Sequence, residues 1–130
     1  MTVRVLIVDD QEPFRLAAAG VTAALPGFEV AGEAATGEDA VVAAAILRPD
    51  LVLMDVRLPG IDGLAATRRI RSADPSVTVL LLSTYDEQDC GADLLDCGAA
   101  AFVPKAAFGP DVLLDLFPAA PESAARGGGG

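Results

Sequence analysis

The chain has 130 residues, with 19 Asp and Glu against nine Lys and Arg and a formal charge of -10. That length suits one hydrophobic core, and that charge argues against direct binding of a nucleic-acid backbone, which needs a cationic face. Histidine is absent, which excludes Ser/His/Asp and Cys/His triads, His-bearing zinc sites and any role as a phosphohistidine donor.

The first apolar run, Val3 to Val8, is cut at once by Asp9 and Asp10. It is therefore read as a strand, not a signal peptide or membrane span, and the chain is expected to be cytosolic with no membrane contact. Pro13 suits the first turn of a helix in which Phe14, Ala17, Ala18, Val21 and Leu25 follow helical spacing until Pro26 and Gly27. A weaker apolar run, Phe28 to Gly32, follows. A second helix is expected after Thr36, with Asp39 in a capping-box variant, and runs through Leu47 before Pro49.

Leu51 to Met54 reads as a strand, and Asp62 caps a third helix. That helix carries Leu64, Thr67 and Ile70 on one side, with Arg68, Arg69 and Arg71 mostly on the other. Val77 to Leu82 is a fourth strand, Glu87 to Cys97 a helical stretch ending at Gly98, and Ala101 to Val103 a fifth strand. A last helix begins at Pro110 and presents Val112, Leu113, Leu116 and Phe117. Cys90 and Cys97 would lie about 10 Å apart along their helix, too far for a disulfide, and are read as reduced packing residues. Residues 118–130 have Pro, Ala and Gly linker composition, expected either to lead toward a further domain or to be an added tail, leaving residues 1–117 as the folded unit.

Strand and helix alternate five times, and the strands are apolar on both faces, which predicts an open parallel α/β sheet covered by helices on both sides. The carboxyl ends of such strands share one edge, where ligands bind. Asp9 and Asp10 follow the first strand, Asp55 the third, while Ser83 ends the fourth and Lys105, the single lysine, the fifth. An Asp after a strand is often only a turn former or a cap. Three carboxylates on one edge repel one another unless a cation lies among them, and an all-oxygen set without histidine points to Mg²⁺. A carboxylate beside Mg²⁺, with a hydroxyl and an ammonium nearby, is equipped to accept a phosphoryl group, and Asp55 is the central candidate nucleophile.

The runs "VLIVDDQEPFR", "PDLVLMDVRLPGIDGLAATRRIR", "VLLLSTYDEQD" and "GAAAFVPKAA" resemble the receiver domain of bacterial two-component response regulators across residues 3 to 117. The middle and late blocks are similar to the subfamily with a LuxR-type helix-turn-helix output domain. The resemblance implies a three-layer, doubly wound, flavodoxin-like sheet of order 2-1-3-4-5. It implies that Asp55 is the phosphoacceptor, supplied from the histidine of a partner sensor kinase. Asp10 and Asp55 would ligate Mg²⁺ through their side chains and Arg57 through its backbone carbonyl, with Asp9 acting through a bound water. Lys105 would pair with Asp55 at rest and with a phosphoryl oxygen afterwards, and Ser83 would donate its hydroxyl to another.

Phe102 occupies the family's switch position, although its residue type alone equally fits an ordinary core aromatic. In the family's scheme Ser83 moves toward the phosphoryl group, the ring turns into the vacated space, and the face of the fourth helix, fifth strand and fifth helix changes shape. That change would control dimerisation and a transcriptional output domain, which would carry the DNA contact and is expected to be absent from this chain. Arg57 and Tyr85 flank the site and would tune slow hydrolysis of the acyl phosphate, by a self-catalysed reaction and not as an enzyme acting on other molecules.

One departure concerns the loop after Lys105. Family members often have Pro next, with a cis bond; here Ala106 follows, and a cis bond there would cost about 3 kcal/mol. Two rival readings differ in named features. A haloacid-dehalogenase-like phosphatase wants two Asp separated by one residue after its first strand, whereas Asp9 and Asp10 are adjacent. A degenerate, phosphorylation-independent receiver usually lacks the acidic pair, the phosphoacceptor or the lysine, and all are here.

Overall fold

Strands form where the sequence is apolar on both faces, and in the computed structural model, which describes residues 2–84 and 96–118, they build one parallel sheet. The strands are β1 (Val3–Val8), β2 (Phe28–Ala34), β3 (Leu51–Asp55), β4 (Thr78–Ser83) and β5 (Ala101–Pro104). The helices among the described residues are α1 (Glu12–Ala24), α2 (Gly37–Leu47), α3 (Gly63–Ala73) and the C-terminal α4 (Pro110–Leu116), with a 3-10 turn at Lys105–Ala107. The sheet order is β2-β1-β3-β4-β5, as the resemblance implied. The helical stretch expected from Glu87 falls outside the described residues up to position 95, as do Tyr85, Cys90 and residues 119–130.

The central strands carry the core. Every residue of β3 is buried, and so are nearly all of β1 and β4, whereas the edge strand β2 exposes Glu29 and Glu33 and β5 is half-buried. Successive side chains point to opposite faces, so the core divides in two. Leu6, Val8, Val52, Met54, Val79 and Leu81 pack under α2 and α3; Val5, Ile7, Leu51, Leu53, Leu80 and Leu82 pack under α1 and α4. Cys97 is buried in the first of these layers.

Helix boundaries follow their caps. Thr36 accepts the Asp39 N–H at 3.0 Å and Asp62 accepts the Ala65 N–H at 2.8 Å, each satisfying one of the donors a helix leaves unpaired at its start. Helix α2 stops at Arg48, a non-glycine residue in the left-handed region at φ 49°, one position before Pro49. Two side chains depart from the expected faces. In α1 the buried pair is Ala18 and Thr22, the Thr22 hydroxyl donating to the Ala18 carbonyl at 2.8 Å, while Ala17 is exposed. In α3, Arg71 folds back to donate to the Val77 carbonyl at 3.0 Å and to the Pro75 carbonyl, tying the helix end to the start of β4. No described peptide bond is cis, that between Lys105 and Ala106 included.

Candidate functional site: a carboxylate cluster with one lysine

The chain runs outward from β1 to β2 on one side and to β3 on the other, and the carboxyl ends of β1 and β3 therefore frame the crevice where open α/β sheets bind ligands. Asp9 and Asp10 directly follow β1 and Asp55 is the last residue of β3. One oxygen from each of the three carboxylates lies within 4.8 Å of the others. Asp9 is 1% exposed and Asp55 5%, whereas Asp10 faces solvent.

Local hydrogen bonds fix the two buried acids. Asp9 Oδ1 accepts the Gln11 N–H at 2.8 Å, and the Arg15 guanidinium donates to the Asp9 carbonyl at 2.6 Å while also reaching Glu33 at 3.1 Å. Asp55 Oδ1 accepts the Arg57 N–H at 3.2 Å. Behind Asp55 the loop closes on itself, with the Gly63 N–H donating to the Val56 carbonyl at 2.8 Å. A Cβ at position 63 would overlap the Asp55 carbonyl oxygen, so this close approach admits only glycine.

Lys105 opens the 3-10 turn after β5 and reaches back across the sheet edge, its side chain 10% exposed. Its Nζ lies 3.3 Å from Asp55 Oδ2, a hydrogen bond, and 2.5 Å from Asp9 Oδ2, an ion pair without hydrogen-bond geometry. The pairing with Asp55 expected from the sequence is thus shared, and Asp9 is the nearer partner. An ammonium settles where the fields of two buried carboxylates add, and Asp9 is the more enclosed of them.

Burial pushes the Asp55 carboxyl up from 3.8 to about 6, and the neighbouring Asp9 charge pushes the same way; Lys105 and the Arg57 N–H oppose them. Three carboxylates facing one ammonium leave negative charge in excess. Hard oxygen donors only and an excess of negative charge together fit a hard divalent cation such as Mg²⁺.

Ser83 ends β4 one strand over, 1% exposed, with Leu82 paired to Asp55 and Ser83 paired to Pro104. Phe102 pairs with Leu81 and packs in the layer of Val79 and Leu81; by the alternation of a strand, Ser83 shares that face. Arg57 is exposed in the loop after β3, and Tyr85 lies outside the described residues. Three residues at the site were not singled out from the sequence. Arg15 and Gly63 are described above, and Phe14 lies with its ring centroid 4.8 Å from Lys105 Nζ. Helical spacing assigned Phe14 to a core face, and the only hint of more was its position one turn past Asp10.

Comparison with known proteins agrees with this arrangement. The sequence profile of the response regulator receiver domain matches residues 5–117. The response regulator GacA of Pseudomonas viridiflava is 39% identical over 105 residues, 81% of this chain and 49% of that protein. A protein-glutamate methylesterase/protein-glutamine glutaminase of Alkalilimnicola ehrlichii is 43% identical over 106 residues, 81% of this chain and 27% of that protein. A two-component response regulator of the LuxR family from Aurantimonas sp. SI85-9A1 superposes with a TM-score of 0.81 at 30% identity, covering 92% of this chain and 84% of the other. The chain thus spans about half the length of the first of these relatives and about a quarter of the second.

Proposed function

This chain belongs to the response regulator receiver domain family of two-component systems, and from that premise we propose that it is switched by a phosphoryl group carried on Asp55. The observation that carries the reading is the placing of Asp55 at the crevice, within the carboxylate cluster and 3.3 Å from the single lysine. An Asp55 oxygen attacks the phosphorus of a phosphohistidine on a sensor kinase; the O–P bond forms, the P–N bond breaks, and the imidazole leaves with its electron pair and takes up a proton. The missing histidine is supplied by that partner.

Asp10 and Asp55 side chains and the Arg57 carbonyl are assigned to hold Mg²⁺, with Asp9 contributing through water. When bound, the ion offsets charge on the phosphoryl oxygens during in-line transfer. Lys105 pairs with one phosphoryl oxygen and Ser83 donates its hydroxyl to another. The Lys105 ammonium already lies between Asp9 and Asp55, so it needs only a short displacement. Water then attacks phosphorus slowly and releases phosphate, with Arg57 and Tyr85 restricting its approach.

Readout is assigned to Ser83 and Phe102. Their shared face couples the hydroxyl's move to the ring's packing, and phenylalanine carries no hydroxyl, so the signal passes by packing alone. A switch of this kind shifts only by the differential contacts of its two states, here those of Ser83 and Lys105 with the phosphoryl group. Dimerisation is assigned to β5, α4 and the segment 87–97, and the output to transcription regulation, a reading the GacA and LuxR-family relatives support; DNA contact would fall to that output and a cytoplasmic location goes with it. The methylesterase relative marks the second reading, an enzymatic output.

The test is incubation with a small-molecule phosphodonor and Mg²⁺ followed by intact mass. One added phosphoryl group is expected, absent in Asp55→Asn and when the metal is chelated, and lost faster in an Arg57→Ala/Tyr85→Ala double variant. An adduct that persists in Asp55→Asn contradicts the assignment, and unchanged decay in the double variant removes the role given to Arg57 and Tyr85.

A further inference from the structure

We propose that Phe14 is a positioning residue for Lys105, its ring forming with Phe108 an aromatic seat that holds the ammonium at the carboxylate cluster. This rests on the reading of Lys105 as the group that meets the phosphoryl oxygen.

A lysine stem has four rotatable carbons and loses much rotamer freedom when its head is fixed. Charge alone does not fix it, because carboxylates at 2.5 Å and 3.3 Å pull the ammonium along two different directions. Phe14 supplies a further contact to the ammonium. Its ring centroid is 4.8 Å from Nζ, within the range where the negative face of an aromatic quadrupole attracts a cation.

The ring is braced in turn. Phe108 lies 6.1 Å away at an interplanar angle of 57°, a tilted aromatic pair. The Phe108 N–H donates to the Lys105 carbonyl at 3.2 Å, so the bracing ring is tied to the backbone of the residue it helps to place. Between them the loop offers only Ala106 and Ala107, both exposed, which anchor nothing. The seat therefore joins the first turn of α1, next to Asp9 and Asp10, to the loop that carries Lys105. A ring face is also non-directional: the ammonium can slide across it from Asp9 toward a new phosphoryl oxygen with no hydrogen bond to Phe14 to break.

Because the chain has a single lysine, selective ¹³C,¹⁵N-lysine labelling gives one side-chain signal, and that signal reads the seat directly. In the wild-type protein the Lys105 ε-methylene protons are expected upfield of an ordinary lysine through the Phe14 ring current. Phe14→Leu should return them to the ordinary position and slow phosphoryl uptake from a small-molecule donor by about three- to thirty-fold, the span of a cation–π contact from exposed to desolvated. Phe14→Tyr, which keeps the ring face, should restore both, and Phe14→Met repeats the comparison if the Leu variant does not fold. An unshifted wild-type lysine signal, wild-type uptake in Phe14→Leu, or a Tyr variant as slow as Leu would each overturn the proposal. A wild-type protein that shows the shifted signal yet takes up no phosphoryl group would instead sink the phosphoacceptor reading and leave the seat standing.

Discussion

At the residue scale, Asp55 is held in a state that opposes stability. Its carboxyl titrates near 6 in the folded chain against 3.8 as an unperturbed group, because burial and Asp9 disfavour its charge. Below about pH 4 both folded and unfolded chains carry the proton and nothing is lost. Between there and about 6 the unfolded chain sheds its proton first, so stability falls as pH rises, and above that the full cost of about 3 kcal/mol stands. In metal-free protein Asp55→Asn is therefore expected to raise stability by up to about 3 kcal/mol at about pH 8, with the gain shrinking toward pH 4. Denaturant melts across that range check it, and a gain that does not change with pH contradicts the assigned cause. Lys105 keeps Asp9 as a partner in that variant, so no buried charge is left alone. The energy stored against Asp55 is available to whatever neutralises the cluster, a bound cation foremost.

At the scale of elements, the site is only as well placed as the ends of the elements that bear it. Helix α3 starts at Gly63, where any Cβ would overlap the Asp55 carbonyl, and its Asp62 cap fixes where that start falls. Asp62→Ala is expected to cost about 1 kcal/mol of stability. It should also disturb the loop that holds the Arg57 N–H on Asp55, seen as a change in that amide's NMR shift together with the lower melt. Most elements were legible in the sequence for identifiable reasons. Strands β1, β3 and β4 are buried on both faces and so read as unbroken apolar runs, and Thr36 and Asp62 announce the helices they cap. The edge strand β2 reads shorter than it is, because Glu33 faces solvent and breaks the run. Thr22 and Arg71 defeat a simple polar-out rule, each by returning its polar group to a backbone carbonyl.

At the scale of the whole molecule, the acidity divides into a site and a surface. Three strand ends contribute the carboxylates and the lysine because β1, β3 and β5 all point their carboxyl ends at one edge, a consequence of parallel topology that alternation in the sequence reveals. The nearer pairing of Lys105 with Asp9 was not legible. Strands β3 and β4 lie between their two strands, and which of two acids a long side chain prefers depends on depth of burial. Phe14 was hidden for a similar reason, since a half-buried aromatic one turn into a helix looks like core until the lysine arrives from 91 positions away.

The central claim, that Asp55 alone takes the phosphoryl group, can be tested by chemical trapping. An acyl phosphate is reduced by borohydride to an alcohol, which converts the aspartyl phosphate to homoserine and marks the residue permanently. After phosphorylation in Mg²⁺, reduction and peptide mass mapping, homoserine is expected at position 55 and at no other aspartate. Homoserine at position 9 or 10, or its absence from a protein whose mass shows the phosphoryl adduct, would contradict the account.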